Sequence, residues 1–261
     1  MKKPYILITL ITAILCFTFC GCSLPRYNNN DKTSKTKVSE MTELTERQKK
    51  VLESEGLPTD INKLSYQQKS GIIHIEKAFE YLDDKYPGVE FEYLSHRPEG
   101  ILGSQLTKFV PAGYDKEDDR NIVTVERDKF ENKYTDDYMC VVTRKPIENV
   151  IDKYAESYFD VDNVKTFAFV GGTDLKYGDI VSEETVKGTT YTSIAFFMPE
   201  NICSEEDLQK FADVITKWND ENQMRCTFRA TIVSENDFKE MDDSIFDNYF
   251  GKYKLINDIS F

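Results

Sequence analysis

Histidine occurs only twice in 261 residues, at His74 and His96, and tryptophan once, at Trp218. Two histidines leave little for a zinc site, and no CxxC spacing supplies thiolates in their place. HExxH, GxSxG, a Walker loop and GxGxxG are all missing. In "FVGGTD", residues 169–174, two glycines follow a strand-like run, but no Lys-Ser/Thr and no helix come after them, so the stretch reads as a turn. "GILGSQ", residues 100–105, lacks the spacing of a nucleophile elbow, which leaves Ser104 without a visible base. Each missing motif removes a reaction class that depends on it.

Weaker candidates are weighed the same way. "YDKEDDRN" (114–121) and "FDVDN" (159–163) could offer oxygens to Ca²⁺, but neither continues with the glycine and distal glutamate of an EF-hand loop. Both read as solvated loops. Glycoside hydrolysis needs two carboxylates at a fixed separation in space, and among 46 acidic residues the sequence nominates no pair. The two histidines read as structural or exposed. With 15 Tyr and 17 Phe the chain is not short of aromatics, yet Trp218 falls on an apolar helical stripe, which leans away from an exposed sugar platform. The aromatic run "FDNYFGKY" (246–253) reads as core and edge packing rather than a binding patch. No catalytic, metal-binding or cofactor residue is assigned.

The amino end is more informative. Lys2 and Lys3 precede an uncharged run from Pro4 to Pro25, 22 residues, with its apolar centre over Tyr5–Phe19. A positive start followed by such an apolar stretch is the pattern of a secretory signal. It closes with "FCGC", where Gly21 stands directly before Cys22 and a polar stretch follows. This arrangement resembles a bacterial lipobox, with Phe19 where leucine is commoner and Cys20 where Ala, Ser or Thr is. The resemblance covers residues 1–22 and implies removal of residues 1–21 and a diacylglyceryl group on the Cys22 thiol. An uncleaved spanning helix, which needs about 20 apolar residues, and plain secretion are the alternatives. Either membrane reading places the rest of the chain on the extracytoplasmic face, because the lysines stay inside.

The cysteines then sort by position. Cys16 and Cys20 leave with the leader, Cys22 carries lipid, and Cys140, Cys203 and Cys226 remain, an odd number at long spacings that marks no disulfide framework. Cys140 and Cys226 sit in strand-like runs and read as small apolar core residues.

Charge divides along the chain. The whole carries −13, and loss of Lys2 and Lys3 takes it to −15; residues 22–45 hold four basic and three acidic residues, so the remainder carries −16. Basic residues beside an anionic membrane are attracted by about 1 kcal/mol each. A body this acidic excludes nucleic acid and other polyanions, whose binding depends on Lys and Arg. Cationic peptides, protein partners and neutral ligands stay open. Residues 22–43 lack periodicity and form a tether, which as a flexible coil spans roughly 25 Å.

Thr45 with Gln48 and Ser65 with Gln68 have capping-box spacing and predict helices over about 45–55 and 65–85, the pair forming a helical hairpin within 44–86. From Val89 the period changes to two. Strands are expected at 89–94, 105–110, 121–127 and 137–142, then a helix over 145–159 with Pro146 in its first turn. Further strands are expected at 164–170, 191–198, 224–233 and 252–259, with helices over 204–218 and 234–241. The expected fold is α+β, a mainly antiparallel sheet with helices on one face, either as one domain over 44–261 or as two halves dividing near residue 160. The balance is against an enzyme. The leading expectation is a membrane-anchored binding or interaction module. Immunity-type sequestration of cationic peptides and a carboxylate-based cell-envelope hydrolase are the alternatives.

Overall fold

The computed structural model describes residue 38 and residues 40–100, 103–128, 130–131, 133–159 and 162–242, together with the backbone of 257–259. The expected leader, Cys22, most of the expected tether and the 246–253 aromatic run lie outside the described residues.

Helix α1 (Glu46–Ser54) and helix α2 (Tyr66–Lys85) each start at a reciprocal cap. The Gln48 amide donates to Thr45 Oγ1 at 3.2 Å while the Thr45 amide donates to Gln48 Oε1 at 3.1 Å. Ser65 and Gln68 repeat the exchange at 3.3 and 2.8 Å. Each exchange satisfies two amides that have no helical acceptor. Gly56 ends α1 in the left-handed region, at φ +66°, while the Leu57 amide reaches back to the Leu52 carbonyl. That is glycine's usual role in closing a helix.

Sheet 1 is an antiparallel meander of β1 (Phe91–Arg97), β2 (Gln105–Pro111), β3 (Val123–Arg127) and β4 (Tyr134–Asp136) in sequential order. Alternation along β2 and β3 buries Thr107, Phe109, Val123 and Val125 on one face. Ile72, Ile75, Phe79 and Leu82 of α2 pack into the same core with Val51 and Leu52 of α1.

Residues 137–142, expected as a strand, instead begin α3 (Tyr138–Phe159). Asp136 Oδ1 accepts the Tyr138 amide at 3.0 Å, and the Asp137 carbonyl accepts the Cys140 amide at 2.8 Å. Local capping and burial of Tyr138 and Val141 override the strand preference of the β-branched pair Val141-Val142. Pro146 therefore lies inside the helix rather than at its start, and leaves the Val142 carbonyl without its usual amide. Cys140 is a helical residue.

Helix α3 serves two cores. Its first turn, with Tyr138 and Val141, joins the core of sheet 1, whereas Ile147, Val150, Ile151, Ala155 and Phe159 join that of sheet 2. At 22 residues it runs about 33 Å. The described residues from Met41 onward form one compact unit.

Sheet 2 holds β5 (Lys165–Thr173), β6 (Thr190–Pro199), β7 (Arg225–Val233) and β8 (Asn257–Ile259), again in sequential order. The strands thus fall into two four-stranded sheets, mostly antiparallel, and the fold is α+β. The exception is β6 with β7, which run parallel from Tyr191↔Arg225 to Pro199↔Val233. Helix α4 (Glu205–Glu221) crosses between them, as a parallel pair requires, burying Leu208, Phe211 and Ile215. The run Ile194–Met198 is apolar throughout because β6 is covered twice. Ile194, Phe196 and Met198 face α3 and α4, and Ala195 and Phe197 pack with Phe238 of the short helix α5 (Glu235–Glu240).

Four buried charges join the sheets. Asp118, in the loop between β2 and β3, takes Arg120 in a two-pronged bond at 2.8 and 3.0 Å. Arg120 Nη1 also donates to Glu148 Oε1 of α3 at 2.8 Å, and the same oxygen accepts the Ala168 amide of β5 at 3.0 Å. Arg144 of α3 lies 3.3 Å from Asp118 and donates to Asn121. Asp118 and Glu148 are each 2% exposed. Removing one member strands a buried charge. Glu148→Ala is expected to lower unfolding free energy by about 3–5 kcal/mol in denaturant titration. Replacing Arg120 and Glu148 together by methionine leaves Asp118 with Arg144 and is expected to lose less.

Candidate functional site

Asp136 ends β4 with a side chain that is 0% exposed. Its Oδ1 accepts Tyr86 Oη at 2.6 Å and the Tyr138 amide at 3.0 Å. Its Oδ2 accepts Tyr81 Oη and Lys85 Nζ, both at 2.6 Å. Tyr81 and Lys85 are four apart on α2 and so project from one face, and Tyr86 caps the same helix end. Burial by itself would raise the Asp136 carboxyl, but Lys85, Tyr81, Tyr86 and the Tyr138 amide outweigh it and hold the pKa below the ordinary value. Burial likewise works against the Lys85 ammonium, whose bonds to Asp136, Tyr81 and Tyr86 nevertheless drive its pKa up. A carboxylate with four donors is committed to holding rings in place.

Those rings form a cluster. Tyr86 lies 4.5 Å from Tyr138 and 6.2 Å from Phe91, and Phe91 meets Tyr138 edge-on at 5.2 Å. Tyr177, from the loop between β5 and β6, adds its edge to Tyr86 at 5.2 Å and donates its hydroxyl to the Pro87 carbonyl at 2.8 Å. The Tyr138 phenol is raised by burial and then by the nearby phenols of Tyr114 and Tyr177. Tyr114 and Tyr177 are each 43% exposed. Buried rings behind and open rings in front make an aromatic surface with polar tips, which can contact a ligand through both stacking and hydroxyl groups.

A second polar feature lies along β1. His96 Nδ1 is 3.0 Å from Thr107 Oγ1, while its Nε2 is buried with no partner. Burial pushes its pKa down to about 4, against a smaller opposing pull from Glu55. Glu55 in turn accepts the Tyr93 hydroxyl at 2.6 Å.

The residues singled out in the sequence do not converge here. Cys22 lies outside the described residues. His74 is half-buried on α2, far along the helix from Tyr86. In the 114–121 stretch, Asp118 is taken by Arg120 and Arg144, and Asp115 accepts the Glu117 amide. Among the described residues no three His, Cys, Asp or Glu side chains gather to hold a metal. Trp218 stacks on Tyr154 at 4.7 Å. Cys140, Cys203 and Cys226 are free thiols, pushed by burial up to about 11, 11 and 12. Sequence reasoning missed Asp136 and its tyrosines. The Tyr81/Lys85 spacing was visible, but nothing local told which carboxylate would meet it.

Neither a protein-family model nor a curated protein matches the chain. A crystal structure of a DUF5037 family protein from Ruminococcus gnavus is similar over 63% of this chain and 77% of that one, at 14% identity and a TM-score of 0.36. Among the described residues no helix is long and apolar enough to cross a membrane.

Asp136→Ala leaves two phenols and an ammonium without their acceptor and is expected to cost about 2–4 kcal/mol in chemical unfolding. For His96 the folded pKa lies below the unfolded one, so the unfolded chain binds the extra proton. Its contribution is complete above about pH 6.5 and is lost as pH falls toward 4. Unfolding of His96→Leu, measured across that window, is expected to show a flatter pH dependence than wild type.

Proposed function

We propose that this chain is a lipid-anchored extracytoplasmic binding module, held to the membrane through Cys22 and presenting the aromatic surface around Tyr177 to a partner. The observation that carries the binding role is the pairing of a carboxylate spent on four internal donors with two half-open tyrosines next to the Tyr86 and Tyr138 rings. Such a cluster orders rings before a partner arrives, which reduces the entropy lost on binding. Two acyl chains at Cys22 give durable attachment where one gives marginal attachment. The weakly basic tether lies toward the anionic surface, and the acidic body stands off from it.

A second reading is favoured by charge. A body at −16 steers cationic peptides toward itself, which suits an immunity-type lipoprotein that sequesters them.

The anchor is tested by the intact mass of membrane-extracted protein, wild type beside Cys22→Ala. The expected wild-type mass starts at Cys22 and includes a diacylglyceryl group, and the substituted protein lacks that group. A wild-type protein retaining Met1 or Lys2 would make the amino end a spanning segment instead.

A further inference from the structure

The two long terminal strands of the sheets are treated differently. β5 ends sheet 2, and α3 lies along it, with Glu148 accepting the outward Ala168 amide. Covering an edge this way prevents another chain from pairing with it. β1 ends sheet 1, and among the described residues no strand pairs with its outer side. The Ala112 amide donates to the Glu90 carbonyl at 2.8 Å, so Glu90 and Glu92 turn their backbone groups toward β2. In an antiparallel ladder alternate residues face opposite ways, so the amides and carbonyls of Phe91 and Tyr93 point away from the sheet. A bulge between Tyr93 and Ser95 ends this regular stretch.

Side chains define what such an edge accepts. Phe91 and Tyr93 lie on the core face and are half-buried, whereas Glu90 and Glu92 are exposed on the other face. Tyr177 is hydrogen-bonded to Pro87 at the approach to this strand. An incoming strand that bonds Phe91 and Tyr93 places one residue beside Glu92 on the wet face and its neighbours beside the two aromatic rings. Opposite charge directly across a pair is favourable, as is an aromatic beside a β-branched residue.

We infer that the β1 edge binds an extended peptide segment of a partner, with Lys or Arg alternating with β-branched residues. A second copy of this chain fits less well. The antiparallel register that uses both residues of each copy pairs Phe91 with Tyr93 and sets Glu92 against its own counterpart, and like charges directly opposite are unfavourable. The inference rests on the binding-module reading for its biological use, and its geometry is independent of the lipid anchor.

The test uses full-length protein in detergent and a capped heptapeptide alternating lysine and valine, with binding followed by calorimetry at low ionic strength. In the proposed register the valine amides bond to β1 and the lysine amides face outward. N-methylating the valines is therefore expected to weaken binding roughly tenfold or more, and N-methylating the lysines to leave it unchanged. Glu92→Lys, on an exposed site that leaves the core alone, is expected to weaken the unmodified peptide roughly fivefold. Equal binding of the two methylated peptides would reduce the interaction to charge adsorption and overturn the inference, as would no binding by the unmodified peptide. A failed mass result at Cys22 would remove the anchor and leave this outcome standing.

Discussion

The arrangement of this protein depends on a buried charge network in which Asp118, Arg120, Arg144 and Glu148 neutralise one another between the β2–β3 loop and α3, with Glu148 also taking a backbone amide of β5. Charges taken from water at this depth are tolerable only when each finds its partner in good geometry. The network is therefore a demanding joint. The loop after β2, the middle of α3 and the edge of β5 must all be in place for all four to be satisfied. It sits beside Pro146, near where α3 passes from one core to the other. Apolar packing alone would hold the two sheets near each other. The network also sets their register.

A second joint, around Asp136, works by the same logic with two charges fewer. Here the carboxylate gathers the end of α2 and the start of α3, and the rings it holds in turn meet Tyr177 from sheet 2. The first joint lies fully inside, while the second opens on one side to water through Tyr114 and Tyr177. The two edges differ in parallel. Where α3 and Glu148 close the edge of β5, the edge of β1 beside the tyrosines is unpaired among the described residues. Protection and exposure are thus distributed around one helix.

Much of the secondary structure could be read locally. Thr45-Gln48 and Ser65-Gln68 form the caps their spacing indicates, because a capping box involves only residues three apart. The stripe on α4 from Leu208 to Ile215 is buried as its period requires. The stretch 137–142 was not legible, since its valines favour a strand and the acceptors that make it a helix belong to Asp136 and Asp137 just outside the apolar run. The division into two sheets was equally hidden. Each strand shows which of its faces is wet but not which strand lies beside it.

By itself, the sequence determined the charge balance, the uncharged amino-terminal run containing Gly21-Cys22, the helix starts and the alternation of most strands, all of which depend on composition or on neighbours a few residues apart. Only the tertiary structure decided that Asp136 meets Tyr81, Lys85 and Tyr86, that Glu148 reaches Ala168, and that, among the described residues, β1 rather than β5 has an open edge. Each of those pairings spans 20 to 55 positions. Over such distances a side chain carries no local sign of its partner, and the partner is selected by which arrangement leaves fewest buried charges and hydroxyls unmet.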